Sequence, residues 1–201
     1  MQSADNQQER LISIGWVIGF VDGEGCFSIG VVRQPNRINR RGYKTGYQLT
    51  HEFVVTQGAR SVECLQALRT FFGIGAVYPN ARHDNHRGDL LTYNVNRRSD
   101  LLRVVIPFFR EHPLRTAKRA DFEKFAFCVE KMANGYHLTP HGLADLLEIL
   151  QTMNRRKPRT DLIRILRDHT PGPETSGEDM VRSAWRHAGR RIGASGSTEV
   201  N

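Results

Sequence analysis

The residues best suited to chemistry in this chain are Asp22 and Glu24, which alternate with glycines in Asp22-Gly23-Glu24-Gly25 directly after an apolar run. A carboxylate at the end of a rigid helix can hold a divalent cation. Magnesium asks for one or two such groups and leaves its other positions to water and phosphate oxygens. Taken alone, an acidic pair between glycines is equally a solvated turn. The other polar groupings are poorer in ligands. His83-Asp84-Asn85-His86 lies in a polar stretch without further partners, and Gly23-x-Gly25 lacks the rest of any phosphate loop. His137 and His141 flank Thr139-Pro140 and so do not share a helical face. Cys26, Cys64 and Cys128 are far apart with no C-x-x-C spacing, which argues against a disulfide framework or a zinc module.

Whatever the acidic pair does, the run before it must hold it in place. Glu9 to Val21 reads as a helix that is apolar nearly all round, so one side should face the chain's own core and the other a partner. Gly15 and Gly19 lie four apart on one face, where absent side chains let two backbones approach. The helix is expected to stop at the Asp22–Gly25 turn. A strand follows in which Phe27, Ile29 and Val31 alternate with Cys26, Ser28 and Gly30, and residues 46–57 read as its partner. Ser61 is placed to cap a second helix closing at Gly73. Residues 75–78 and 90–97 read as a second strand pair. Helices are expected over 99–110 and 116–132, and a fifth opens at Thr139-Pro140. The order α-β-β-α-β-β-α-α-α has no β-α-β rhythm, which predicts an α+β fold with an antiparallel sheet and helices on one face.

Charge narrows the partners. The net charge is +8, and 24 of the 29 basic residues are arginine, the side chain that grips phosphates and guanine edges in bidentate fashion. Residues 30–51 hold Arg33, Arg37, Arg40, Arg41 and Lys44 and no acid, which reads as a loop reaching for phosphates. The opening MQSADNQQER has no signal pattern, and the apolar stretch Leu11–Val21 falls well short of the roughly 20 residues a bilayer needs. These features predict a soluble, intracellular protein of bacterial cytoplasm or organelle with no membrane partner. Residues 1–160 read as one domain. Residues 161–201, after the basic run Arg155-Arg156-Lys157-Pro158-Arg159, read as a basic tail that is partly ordered or DNA-associated.

The segment Trp16-Val17-Ile18-Gly19-Phe20-Val21-Asp22-Gly23-Glu24-Gly25 resembles the signature of the LAGLIDADG homing endonucleases, with Val17–Gly25 in the nine signature positions and Glu24 in the acidic eighth. The resemblance continues through Val54-Val55-Thr56-Gln57, through His112-Pro113-Leu114 with Thr116, Lys118, Asp121 and Phe122, and through Met153-Asn154-Arg155-Arg156-Lys157-Pro158-Arg159. It covers roughly residues 10–160 and implies the α-β-β-α-β-β-α core read above.

The resemblance also implies a site. Glu24 and the Gly25 carbonyl would hold Mg²⁺ at the scissile phosphates, with Mn²⁺ or Ca²⁺ able to substitute in binding. Asp22 would be a helix-end and interface residue, or a weaker metal ligand. Lys118, or Arg115 in a second alignment, would stabilise the transition state, and Gln57 would position water. Members with one motif pair as homodimers, here through Ile14, Gly15, Ile18, Gly19 and Asp22, so the double-stranded DNA site would be pseudo-palindromic and its break staggered. Bases would be read from the sheet face opposite the helices. Ser28, Gln34, Gln48, Thr50 and Glu52 come from the first strand pair, and Tyr78, Asn80, Arg82, Thr92, Asn94 and Asn96 from the second. Arg33, Arg37, Arg40, Arg41 and Lys44 would mostly grip phosphates. The same resemblance allows an RNA-binding maturase acting on its host intron, or a DNA-binding regulator without catalysis.

Overall fold

Phe27 and Phe53 face each other across neighbouring strands with ring centroids 4.9 Å apart, and the fold is built outward from that pair. The computed structural model describes residues 2–34, 43–80, 89–154 and 158–168. Arg37, Arg40, Arg41, Arg82, the His83–His86 pair, Arg155, Arg156, Lys157 and the tail from 169 onward lie outside the described residues.

The elements run α1 (Gln2–Glu24), β1 (Gly25–Arg33), β2 (Tyr47–Gly58), α2 (Val62–Phe72), β3 (Ala76–Asn80), β4 (Leu90–Val95), α3 (Arg98–Asp100), α4 (Ile106–Glu111), α5 (Lys118–Ala133), α6 (Pro140–Leu150) and α7 (Thr160–Asp168). The strands form one antiparallel sheet in the order β1-β2-β4-β3. Alternation places Phe27, Ile29, Phe53, Val55, Tyr93 and Val95 on one face, where they are buried together with Phe109, Phe122 and Phe125 from the helical layer. This is the α+β arrangement that the element order predicts.

Three local expectations change. The helix expected over 9–21 runs from Gln2 to Glu24: its polar start carries no apolar period to signal it, and its end continues through Gly23 because other groups meet its last carbonyls. Ser61 precedes α2 but makes no side-chain cap; a short 3₁₀ turn, Ala59–Ser61, leads in instead, while Gly73 closes the helix at φ 66° as expected. The helix expected over 99–110 becomes α3, a π turn at Leu101–Val105, and α4. Pro107 has no N–H and its ring crowds the carbonyl four residues back, so the chain widens by one residue per turn ahead of it.

Packing also continues past residue 160. Ile163 and Leu166 of α7 are buried, and Arg167 donates to Asp145 of α6 at 3.1 Å. A division after residue 160 therefore does not coincide with an end of packing. Asn154, with its left-handed φ of 47°, ties the crossing into α7 to the sheet: its amide donates to the Phe27 carbonyl at 2.9 Å and its N–H to Asp121 at 3.3 Å. No helix among the described residues is long and apolar enough to cross a membrane.

Candidate active site

α1 ends where β1 begins, and that junction is tight. A Cβ on Gly25 would lie 2.6 Å from Val21 Cγ1 and 2.8 Å from the Val21 carbonyl oxygen, so the turn of direction requires glycine. Val17 and Val21 are fully buried and anchor the helix beneath the junction. Glu24, the last residue of α1, is exposed, and its carboxylate has no hydrogen-bond or ion-pair partner among the described residues. A free carboxylate on an immobilised helix end is what a divalent cation needs from the chain.

Asp22, two residues earlier, accepts three hydrogen bonds. Its Oδ2 accepts the Arg115 N–H at 2.6 Å, and its Oδ1 accepts the Thr116 N–H at 3.2 Å and the Thr116 hydroxyl at 2.7 Å. Partial burial alone would raise its pKa, but these hydrogen bonds, with Lys118 nearby, hold the carboxyl below the ordinary aspartate value. The weaker-ligand role considered for Asp22 thus competes with a bracing role that the structure shows directly.

Lys118 begins α5, and its ammonium donates to the Val21 carbonyl at 3.0 Å and the Gly23 carbonyl at 3.2 Å. It supplies the cation that the last turn of α1 lacks in its own sequence. Burial lowers its pKa, and Cys26, Asp22 and Glu24 oppose that shift. Arg115, the second candidate, reaches the site through its backbone N–H, while its side chain is exposed. Gln57 lies two residues past Val55, the partner of Gly25, and so stands at the same end of the sheet as Glu24. Cys64 of α2 also borders Glu24: burial raises its pKa, and the Glu24 charge adds to the rise. Among the described residues no group of three or more histidine, cysteine or acidic side chains could hold a metal ion, and at the end of α1 the carboxylate without a partner among them is that of Glu24.

The sheet face opposite the helices is polar and already cross-linked. Gln34 donates to Gln48 at 3.0 Å, Ser28 and Asn94 donate to the two oxygens of Glu52 at 3.1 and 2.9 Å, and Asn80 donates to Thr92 at 3.1 Å. Thr92 also shares a hydrogen bond with Thr56 at 2.9 Å. Thr92 and Asn94 are each only 5% exposed, so they order Asn80, Thr56 and Glu52 more than they present atoms of their own. Arg33, Lys44, Thr50, Tyr78 and Asn96 are exposed on or beside this face.

The open side of α1 includes Gly15 and Gly19 of the expected interface set, with Leu11, Ile12 and Trp16 beside them. Ile18 packs partly on the chain's own core, and Ile14 is half-buried. Leu11 and Ile12 are more than 60% exposed and Trp16 is 40% exposed. Gly15, Gly19 and Gly23 line up on this side, with nothing within 4 Å of a Cβ built on any of them. Sequence reasoning missed the bracing of Asp22 by Thr116, because a pairing 94 residues apart leaves no local spacing to find.

Residues 17–129 match the family model described as LAGLIDADG endonuclease. A probable intron-encoded endonuclease 3 from Neurospora crassa is 31% identical over 141 residues, covering 69% of this chain and 24% of that protein. The chain spans about a quarter of the length of the first such curated relatives. The crystal structure of a homing endonuclease, I-TnaI, is similar at 44% identity and a TM-score of 0.63, over 77% of this chain and 96% of that one. I-SmaMI bound to an uncleaved DNA target in the presence of calcium ions is similar at 27% identity and a TM-score of 0.64, over 80% of this chain and 50% of that one.

Proposed function

Because the chain belongs to the LAGLIDADG endonuclease family, we propose that it is a site-specific homing endonuclease that acts as a homodimer and makes a staggered, divalent-metal-dependent break in double-stranded DNA. The observation that carries this reading is the unpartnered Glu24 carboxylate, held beside Lys118 at the end of a helix whose glycine side is open.

Each residue then has a task its surroundings suit. The Glu24 carboxylate and the Gly25 carbonyl would hold Mg²⁺, which supplies Lewis-acid polarisation of the phosphate and a more acidic water. Lys118 has three ammonium hydrogens, and two are donated to α1 carbonyls, which leaves one for an oxygen of the scissile phosphate. Gln57 would orient the attacking water from the same end of the sheet. Glu52, with its oxygens ordered by Ser28 and Asn94, offers acceptors to a cytosine amino group in the major groove.

One copy gives one carboxylate, and DNA has two strands to cut. The chain corresponds to half of I-SmaMI, and the glycine side of α1 would let a second copy's helix approach about a two-fold axis. The experiment is incubation with Mg²⁺ and a library of random duplexes, followed by sequencing of the cut ends. A long, partly palindromic site with 3′ overhangs is expected. Unselective nicking, or no cutting under any divalent cation, overturns the proposal.

A further inference from the structure

Five buried side-chain nitrogens lack a hydrogen-bond partner among the described residues. Three of them, His51 Nδ1, Arg98 Nε and His137 Nδ1, belong to residues that line one cavity of about 290 Å³. Buried polar groups in folded proteins are usually paired, so three orphans in residues around one space mark a lining whose hydrogen-bonding capacity the described residues do not meet, although the orphaned atoms themselves are shielded from the space.

The cavity exists because two strands of the sheet differ in length. β4 ends at Val95, opposite Phe53, so β2 continues from Glu52 back to Tyr47 without a neighbour on that side. Asn96 just past the end of β4, Arg98 from the start of α3, and His137 from the 3₁₀ turn Tyr136–Leu138 close over this free edge. Arg98 is held by a hydrogen bond to the Met132 carbonyl at 3.0 Å, and its remaining guanidinium hydrogens are available. Thr50 and Asn96 add a hydroxyl and an amide to the lining, and among the described residues no carboxylate is part of it.

We propose that this cavity is an oxyanion site that seats a phosphate group, and that the phosphate is one of the DNA backbone. The chemistry follows from the lining: an arginine fork, two imidazoles, a hydroxyl and an amide border one space with no counter-charge among the described residues. His51 and His137 are both held below the ordinary imidazole value, first by burial and then by the Arg98 charge, a repulsion that a bound anion relieves. The source follows from position. Gln48 and Thr50 belong to the sheet face opposite the helices, while His51 alternates with them onto the helix side, so the cavity wraps the free edge of β2, and a duplex lying on the polar face would bring its backbone to that edge. The oxyanion chemistry stands on the cavity alone, and only its assignment to DNA rests on the function proposed above.

The test follows the imidazole resonances of His51 and His137 in the full-length protein at neutral pH, without divalent metal. Sodium phosphate is titrated against sodium chloride at matched ionic strength, and a short duplex of random sequence is then added. Both resonances should shift with phosphate and not with chloride. The duplex should reproduce the shifts, and excess sodium chloride should reverse them. Arg98→Gln should abolish them and lower the salt slope of duplex binding by about one unit, the share of one phosphate contact. If phosphate moves neither resonance in the wild-type protein, the oxyanion site is overturned. If phosphate moves them and a bound duplex does not, the DNA assignment is overturned and the site belongs to free phosphate. Cleavage is not read here, so a chain that seats phosphate yet binds no duplex would sink the nuclease reading and leave the oxyanion site standing.

Discussion

Asp22 and Thr116 meet twice on one oxygen: Oδ1 accepts the Thr116 N–H at 3.2 Å and its hydroxyl at 2.7 Å, across 94 residues of sequence. The same hydroxyl oxygen accepts the Lys118 N–H at 3.2 Å, and the Lys118 ammonium returns to the Val21 and Gly23 carbonyls. The last turn of α1 and the first turn of α5 are thereby closed into one ring of hydrogen bonds. Asp22 acts through that ring as a positioning residue for Lys118.

Asp22→Asn should cost about 1–2 kcal/mol of stability, the usual size for weakening hydrogen bonds to a charged acceptor. Because the folded pKa of Asp22 is depressed, its contribution is full above the unfolded carboxyl value and is lost as pH falls through the folded one. Urea midpoints measured from neutral to acid pH should therefore lose part of their acid limb in the variant. Identical limbs would show that the carboxylate carries no such load.

Gly19→Leu separates folding from assembly. Nothing lies within 4 Å of a Cβ at Gly19, so one chain accommodates leucine, and leaving glycine favours the helix by about 0.8 kcal/mol. Thermal stability of the monomer should hold or rise while sedimentation shows loss of the dimer. A wild-type chain that sediments as a monomer both free and on DNA would remove the two-fold arrangement from consideration.

What the sequence disclosed, and what it withheld, divides along a physical line. Alternation around Phe27 and Phe53 was legible because a half-buried strand writes its two faces into successive residues. The Glu24–Gly25 junction was legible through the signature, and the clash a Cβ would make at Gly25 gives that glycine its reason. Burial of Thr92 and Asn94 was not legible: alternation assigns a face, and only cross-strand partners such as Glu52 and Asn80 decide how much of it water reaches. The start of α1 carried no apolar period, and the docking of α7 depends on Arg167 finding Asp145, a long-range pairing.

His51 gives a separate pH signature. Burial first, then the Arg98 and His137 charges, push its pKa from 6.5 down to about 4. A base whose folded pKa is depressed stabilises the fold fully above the unfolded value and progressively less as pH falls towards the folded one. In chloride buffer, the melting temperature should therefore decline between about 6.5 and about 4 more steeply in the wild type than in His51→Gln. Parallel curves would place the imidazole in contact with solvent.

Glu24→Gln is the most direct test of the proposed chemistry. The amide keeps the size and can accept a hydrogen bond, but it removes the charge a divalent cation needs. Glu24 is exposed and makes no hydrogen bond or ion pair among the described residues, so stability should change by less than about 0.5 kcal/mol, as for an ordinary surface substitution. Cleavage should collapse while DNA binding persists, because the ordered polar face of the sheet, with Glu52 at its centre, is built from other residues. A heterodimer with one substituted copy then asks whether the two carboxylates share their metals. Independent sites would nick one strand at the normal rate, whereas shared metals would slow both cuts. A substituted homodimer that still cut at full rate would remove Glu24 from the mechanism. Asp22 would then be the carboxylate to test next, with Arg115 and Thr116 already taking three of its roughly four acceptor positions.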